Sequence, residues 1–154
     1  MYIQTMSTPC GQLAVTANNT GLTRVVFDDT VKPTQANALT QQAISQLEQY
    51  FSGSRTRFSL PLAAVGTVFQ TRVWQALNDI EFGQTASYAD IARRIDNPKA
   101  VRAVGMANGR NPLAIVVPCH RIIGSNGTLT GYAGGLARKQ YLLNMEGAGK
   151  HAAT

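Results

Sequence analysis

The sequence predicts an α+β protein: a small N-terminal antiparallel β-sheet with a helix, then a mostly helical C-terminal domain containing a helix-turn-helix and a Pro-Cys-His-Arg segment. Three observations carry that expectation. Short β-like runs separated by turn residues fill the start, capped amphipathic helices follow residue 65, and an apolar run ends on Cys119 and His120. At 154 residues, 44% hydrophobic and 14% charged, the chain can bury a real core.

Residues 2–6, 12–17 and 22–28 read as strands parted by Pro9-Cys10-Gly11 and Asn18-Asn19-Thr20-Gly21, the turn chemistry of a meander. From Thr34 to Phe51 the residues Leu39, Ala43, Leu47, Tyr50 and Phe51 recur at helical spacing, and Ser52-Gly53 ends the run. Residues 53–67 look like a linker, which gives a sheet-and-helix domain over 1–64 and a second domain over 65–154. Thr67 and Gln70 form a capping box, after which Val68, Phe69, Val73, Trp74, Leu77 and Ile80 make one apolar face, with Trp74 in the core. Ser87 and Asp90 cap a further helix through Ile95. Asn97 then caps another, with Pro98 at its first position, where a missing N–H costs nothing.

Two short helices joined by a tight turn fit a helix-turn-helix or two plain packed helices. Ala103, Met106, Ala107 and Arg110 share one face of the second helix, small and ending in a cation, without the Gln or Asn that reads bases in a major groove. Charge points the same way. The net charge is +6, with +1 on residues 1–64 and +5 on the rest, which favours a polyanionic partner for the C-terminal part. No apolar run approaches the roughly 18 residues of a bilayer span, and the start lacks a signal peptide, so the expectation is a soluble, cytoplasmic protein with no membrane partner.

Cys10 and Cys119 are too few for a disulfide framework, and with His120 and His151 they give no zinc spacing, so neither metal nor cofactor is expected. Cys10 reads as a small buried hydrophobe. Leu113–Val117 reads as a buried strand that delivers Cys119 beside His120. Neighbours on an extended chain point oppositely, so the imidazole reaches the sulfur through a turn or a water, and Pro118 favours a turn. Glu146, closing a helix over 136–146 before Gly147, is unfavourable with the helix dipole and either pairs with His120 or is solvated. The Asn126-Gly127 pair signals a hairpin, and the glycines of 131–135 either line a pocket or make a mobile loop.

These residues resemble the O6-alkylguanine-DNA alkyltransferases, also called methylated-DNA protein-cysteine methyltransferases. The likeness is carried by Ile115-Val116-Val117-Pro118-Cys119-His120-Arg121, Arg102-Ala103-Val104-Gly105, Asn111-Pro112, Gly131-Tyr132-Ala133-Gly134-Gly135-Leu136 and Glu146-Gly147, covering nearly all of 67–147. The resemblance implies a protein that takes alkyl groups from flipped-out O6-alkylguanine in double-stranded DNA, with O4-alkylthymine as a further substrate to test, by one irreversible transfer to Cys119. It also implies that His120 relays the proton, Glu146 orients His120, Asn111 braces the segment, Tyr88 assists the leaving base and Arg102 replaces it in the stack. Ala103, Ala107, Arg110 and Arg121 would lie on DNA, and Val117, Tyr132, Ala133 and Gly134 on the substrate. A monomer is expected, with cooperative binding on DNA open. Ala133 stands where some members carry a hydroxyl, which suggests room for alkyl groups larger than methyl. The competing readings are a binding module, either a helix-turn-helix regulator or a protein that senses modified guanine without reacting, the latter lacking an acceptor cysteine where this chain has Cys119, and a turnover thiol enzyme such as a hydrolase.

Overall fold

The computed structural model describes residues 1–148, so His151 lies outside the described residues. They fall into two units, one of residues 1–65 with 112–116 and one of 66–111 with the chain from Val117 onward.

In the first unit, β1 (Tyr2–Thr8), β2 (Gly11–Ala17) and β3 (Leu22–Phe27) form an antiparallel sheet in sequence order. β2 is central, so Leu13, Ala14, Val15 and Ala17 are buried. The helix α1 (Ala38–Phe51) begins four residues later than Thr34. Thr34 is spent on the sheet edge: its N–H donates to the Ile3 carbonyl at 3.0 Å and its Oγ1 accepts from the Ile3 N–H at 3.1 Å. Asn37 then closes a capping box with Thr40, and Ala43, Leu47 and Tyr50 face inward.

The apolar run Leu113–Val117 is not a strand. Val25 donates to the Pro112 carbonyl at 2.8 Å and accepts from the Ala114 N–H at 3.0 Å, which makes one isolated bridge at Leu113. Ile115 then takes φ 70°, and Val116 N–H donates to the Ala114 carbonyl at 2.8 Å. That is a tight γ-turn centred on a β-branched residue in the left-handed region, a strained conformation for Ile. The second domain expected over 65–154 is therefore interrupted, since residues 112–116 pack with the first unit.

In the second unit, α2 (Val68–Leu77) carries the Thr67–Gln70 capping box and buries Val73, Trp74, Ala76 and Leu77. Val68, expected on that face, is 82% exposed. It stands one turn from Arg72 and two from Gln75, both exposed, on the opposite side of the helix. Trp74 Nε1 donates to the Ala107 carbonyl at 2.9 Å, confirming a core tryptophan with its polar edge satisfied. Gly66 packs against the same indole so closely that a Cβ there would fall 2.5 Å from a ring carbon.

Strand β4 (Ala86–Ser87) runs straight into α3 (Tyr88–Arg94), capped by Ser87 and Asp90. The next helix, α4 (Val101–Gly109), starts at Val101 with no side-chain cap, so Asn97 and Pro98 do not open it. Asn97 is committed elsewhere: Asp96 adopts φ 57° and the Asn97 N–H donates to the Ala92 carbonyl at 2.9 Å, closing α3. Pro98 instead occupies the first central position of a turn sealed by Ala100 N–H to the Asn97 carbonyl at 3.0 Å. A 3-10 turn over Cys119–Arg121 leads into β5 (Ile122–Ile123), which pairs parallel with β4. Asn126-Gly127 makes a turn, with Gly127 at φ 83°, but not the expected hairpin, since β5 pairs in parallel with β4 and no strand follows it before residue 136. The last helix, α5 (Leu136–Met145), ends on Glu146, and Gly147 at φ 81° stops it. Among the described residues no helix is long and apolar enough to cross a membrane.

Candidate active site

Two successive turns deliver the thiol. Pro118, at φ −81° and ψ 64°, centres an inverse γ-turn in which Cys119 N–H donates to the Val117 carbonyl at 2.8 Å. The 3-10 turn then places Cys119, His120 and Arg121 in three different directions, all buried. The β4–β5 ladder registers this turn against Ser87, one residue before Tyr88.

His120 is wholly buried, and its Nε2 lies 2.7 Å from Glu146 Oε2. Nδ1 has no hydrogen-bond partner among the described residues. With Nε2 donating to the carboxylate, Nδ1 is the basic nitrogen. Glu146 is shared. Arg121 Nε donates to Oε1 at 2.8 Å and Nη2 to Oε2 at 3.1 Å, while Nη1 donates to the Ile80 carbonyl at 2.7 Å. The guanidinium carbon also lies 5.8 Å from the Phe82 ring centre. Arg121 is only 6% exposed and fully engaged, so its assignment to a DNA surface is corrected: it is the buried counter-ion of Glu146.

Burial pushes the Glu146 carboxyl up, but the bonds and charges of His120 and Arg121 outweigh it and hold the group down at about 2. Burial also lowers His120, and the Arg121 and Lys139 cations add to that against Glu146. The pair is therefore a carboxylate beside a neutral imidazole. Cys119 is raised above the ordinary thiol range by burial, opposed by the Asn111 side chain, the Lys139 charge and its own backbone. A thiol so placed rests protonated and needs a base.

Asn111 Nδ2 donates to the Val117 carbonyl at 2.9 Å, and Asn108 Nδ2 reaches the Cys119 carbonyl at 3.4 Å. Asn108 near the end of α4 and Asn111 just past it thus hold the Cys119 segment, and of the two only Asn111 was expected. Lys139 is the other unexpected group. It is wholly buried, donates from Nζ to the Thr130 carbonyl at 2.9 Å, and is lowered to about 8 by burial against the pull of Cys119. Its signal was present in the sequence: Leu136, Lys139, Leu142 and Leu143 share one apolar stripe, so a lysine there goes inward.

Tyr88, the first residue of α3, is half-buried with its hydroxyl 2.6 Å from Thr130 Oγ1. A Cβ on Gly105 of α4 would stand 3.6 Å from the Tyr88 ring, which sets α4 beside it. Arg102, Ala103 and Arg110 are exposed, as an outward face requires. Ala107 is 3% exposed and packs inward, so it leaves the DNA-facing set: with Val104 and Asn108 it forms the buried side of α4. Val117 is buried, Tyr132 and Gly134 half-buried, and Ala133 exposed. Of the nearby glycines, Gly135 takes φ 92°, while a Cβ on Gly131 would meet nothing within 4 Å. No group of three or more metal-ligating side chains occurs among the described residues.

A buried thiol next to a neutral imidazole that is backed by a carboxylate, in a unit that carries a helix-turn-helix, defines the class as a thiol protein with a helix-turn-helix. The comparisons place it more closely. The DNA-binding domain of 6-O-methylguanine DNA methyltransferase matches residues 68–148, and the ribonuclease-like domain of the same protein matches residues 1–64. The chain belongs to the 6-O-methylguanine DNA methyltransferase family. Among its relatives, the methylated-DNA–protein-cysteine methyltransferase of Mycobacterium leprae is 45% identical over 152 residues, 95% of this chain and 92% of that one. The constitutive one of Bacillus subtilis is 47% identical, covering 94% of each. The Mycobacterium tuberculosis O6-methylguanine methyltransferase superposes with a TM-score of 0.87 at 42% identity, over 96% of this chain and 93% of that one. A structure of the M. tuberculosis OGT in complex with DNA gives 0.88 at 44% identity, over 95% and 93%.

Proposed function

We propose that this chain repairs O6-alkylguanine in double-stranded DNA by moving the alkyl group onto Cys119, once and irreversibly. The observation that carries the reading is the buried His120–Glu146 pair at 2.7 Å, with Nδ1 left as a base, in the residue next to a protonated thiol. His120 Nδ1 takes the thiol proton, directly or through a water. The thiolate sulfur attacks the alkyl carbon in line, the S–C bond forms, the C–O6 bond breaks, and its electron pair passes to guanine. Guanine takes up one proton, so the thiol proton is in effect exchanged for the alkyl group. The thioether has no route back to a thiol, which makes the protein a reagent used once.

A target inside a duplex must be turned out, at a cost of a few kcal/mol. Arg102, exposed on α4, fills the gap in the stack, and Ala103 and Arg110 lie along the backbone without reading sequence. Tyr88 donates to the departing base, Asn111 braces the acceptor, and Val117, Tyr132, Ala133 and Gly134 line the base site. The protein acts as a cytoplasmic monomer, and alkyl groups larger than methyl are accepted past Ala133.

Intact-protein mass after mixing with a duplex bearing one O6-methylguanine tests the reading. A gain of one methyl group by the wild type, one equivalent and no more, and none by Cys119→Ala, is expected. Binding without mass gain would mean a sensor, and repeated repair a turnover enzyme.

A further inference from the structure

Thr130 lies in coil between β5 and α5, yet it holds two groups that come from different helices. Its Oγ1 is 2.6 Å from the Tyr88 hydroxyl at the start of α3, and its carbonyl accepts from Lys139 Nζ of α5 at 2.9 Å. Lys139 is wholly buried and its charge acts on Cys119. One loop residue therefore fixes both a phenolic hydroxyl and a cation of the same site.

The pairing has a direction that matters. Each hydroxyl has one proton and accepts through its lone pairs. When Thr130 donates to Tyr88, the phenolic proton stays available for a third group. When that proton departs, the same Thr130 bond stabilises the oxygen left behind. A β-branched side chain suits this task, because its restricted χ1 fixes where Oγ1 points.

We propose that Thr130 is a positioning residue for alkyl transfer: its hydroxyl aims the Tyr88 O–H at the departing base, and its carbonyl anchors the Lys139 ammonium. The inference rests on the alkyl-transfer reading above and adds a residue to it. Because the two roles use different atoms, they separate by substitution. Thr130→Val removes the hydroxyl, keeps the shape and keeps the carbonyl bond to Lys139.

The experiment is single-turnover methyl transfer from an O6-methylguanine duplex by the full chain, comparing Thr130→Val, Thr130→Ser, Tyr88→Phe and the Tyr88→Phe/Thr130→Val double variant. For Thr130→Val the limiting rate at saturating DNA is expected to fall about tenfold, the worth of one well-placed hydrogen bond, with the half-saturating DNA concentration unchanged within about twofold. Thr130→Ser restores most of the rate, and the double variant is no slower than Tyr88→Phe alone. Iodoacetamide capture of Cys119 stays the same in Thr130→Val, since Lys139 keeps its anchor. Losses that multiply in the double variant, an unaffected Thr130→Val, or a defect confined to DNA affinity would overturn the inference. An inert wild type would overturn the function with it, whereas an active wild type indifferent to Thr130→Val removes this inference alone.

Discussion

The two units bury polar groups in opposite ways. In the first, the buried polar side chains are Thr16 and Thr40, neutral and small, while aliphatic residues of β2 and α1 supply the core. In the second, His120, Arg121, Lys139 and Glu146 all lie within 6% of complete burial, together with Asn108. Bringing ions inside is expensive, and their mutual attraction offsets that cost only when the geometry is good. The first unit is therefore organised for packing alone, and the second accepts an electrostatic cost around the His120–Glu146 pair.

The largest test of that contrast is Arg121→Met, which strips Glu146 of its two-pronged partner. We expect a loss of about 3–5 kcal/mol by denaturant titration, against less than about 1 for Thr16→Val in the first unit. Equal losses would break the comparison. Acid comes next. Glu146 titrates near 2 when folded but near 4.5 when unfolded, so its stabilisation is whole above pH 4.5 and disappears as pH falls toward 2. His120, lowered in the fold, acts in the same sense from about pH 6.5 downward, because the unfolded chain takes up its proton first. Glu146→Gln should flatten the melting temperature between pH 5 and 3, roughly the span of the carboxyl.

Alkali sharpens the comparison from the other side. Lys139 drops from 10.5 to about 8, so the folded chain releases that proton more readily and stability rises from about pH 8 to 10.5. A scan in which Lys139→Met shows the same alkaline slope as wild type would count against a buried ammonium. Smaller again, Ser87→Ala and Asn37→Ala each remove a capping-box side chain, one per unit, and each should cost about 1 kcal/mol. Caps work alike in both units, so a large difference there would locate the contrast in helix ends and not in buried charge. The smallest effect is a gain: Asp96→Gly relieves φ 57° and should add up to about 1 kcal/mol.

Local signals survived best between sequence and structure. Capping boxes at Thr67 and Ser87 and the meander turns depend on a few adjacent residues, and these elements form where the sequence puts them. The partnership of His120 with Glu146 was one of two open readings, and the misplaced carboxylate at a helix end was the clue to the right one. What failed was competition between equally good local fates. Thr34 could start a helix or pair with Ile3, and a distant strand took it; Asn97 could cap α4 or close α3, and its N–H went back to Ala92 of the helix before it. Arg121 and Ala107 were misplaced for a related reason. A cation and a small residue are plausible on a DNA face, and only burial shows Arg121 facing Glu146 and Ala107 facing the Trp74 side. The β4–β5 ladder, two residues long, leaves no periodic trace at all.

The γ-turn at Ile115 has a consequence for anyone dissecting the gene. The chain leaves the second unit after Asn111, lays Leu113 and Ile115 into the first, and returns at Val117. A peptide cut to begin at Gly66 would carry those two residues, now 3% and 1% exposed, without the surface that covers them. Baring both aliphatic side chains forfeits about 3–6 kcal/mol, comparable with the whole stability of a small domain. The boundary near residue 65 divides the sequence cleanly, but it is not a place where the molecule can be trimmed.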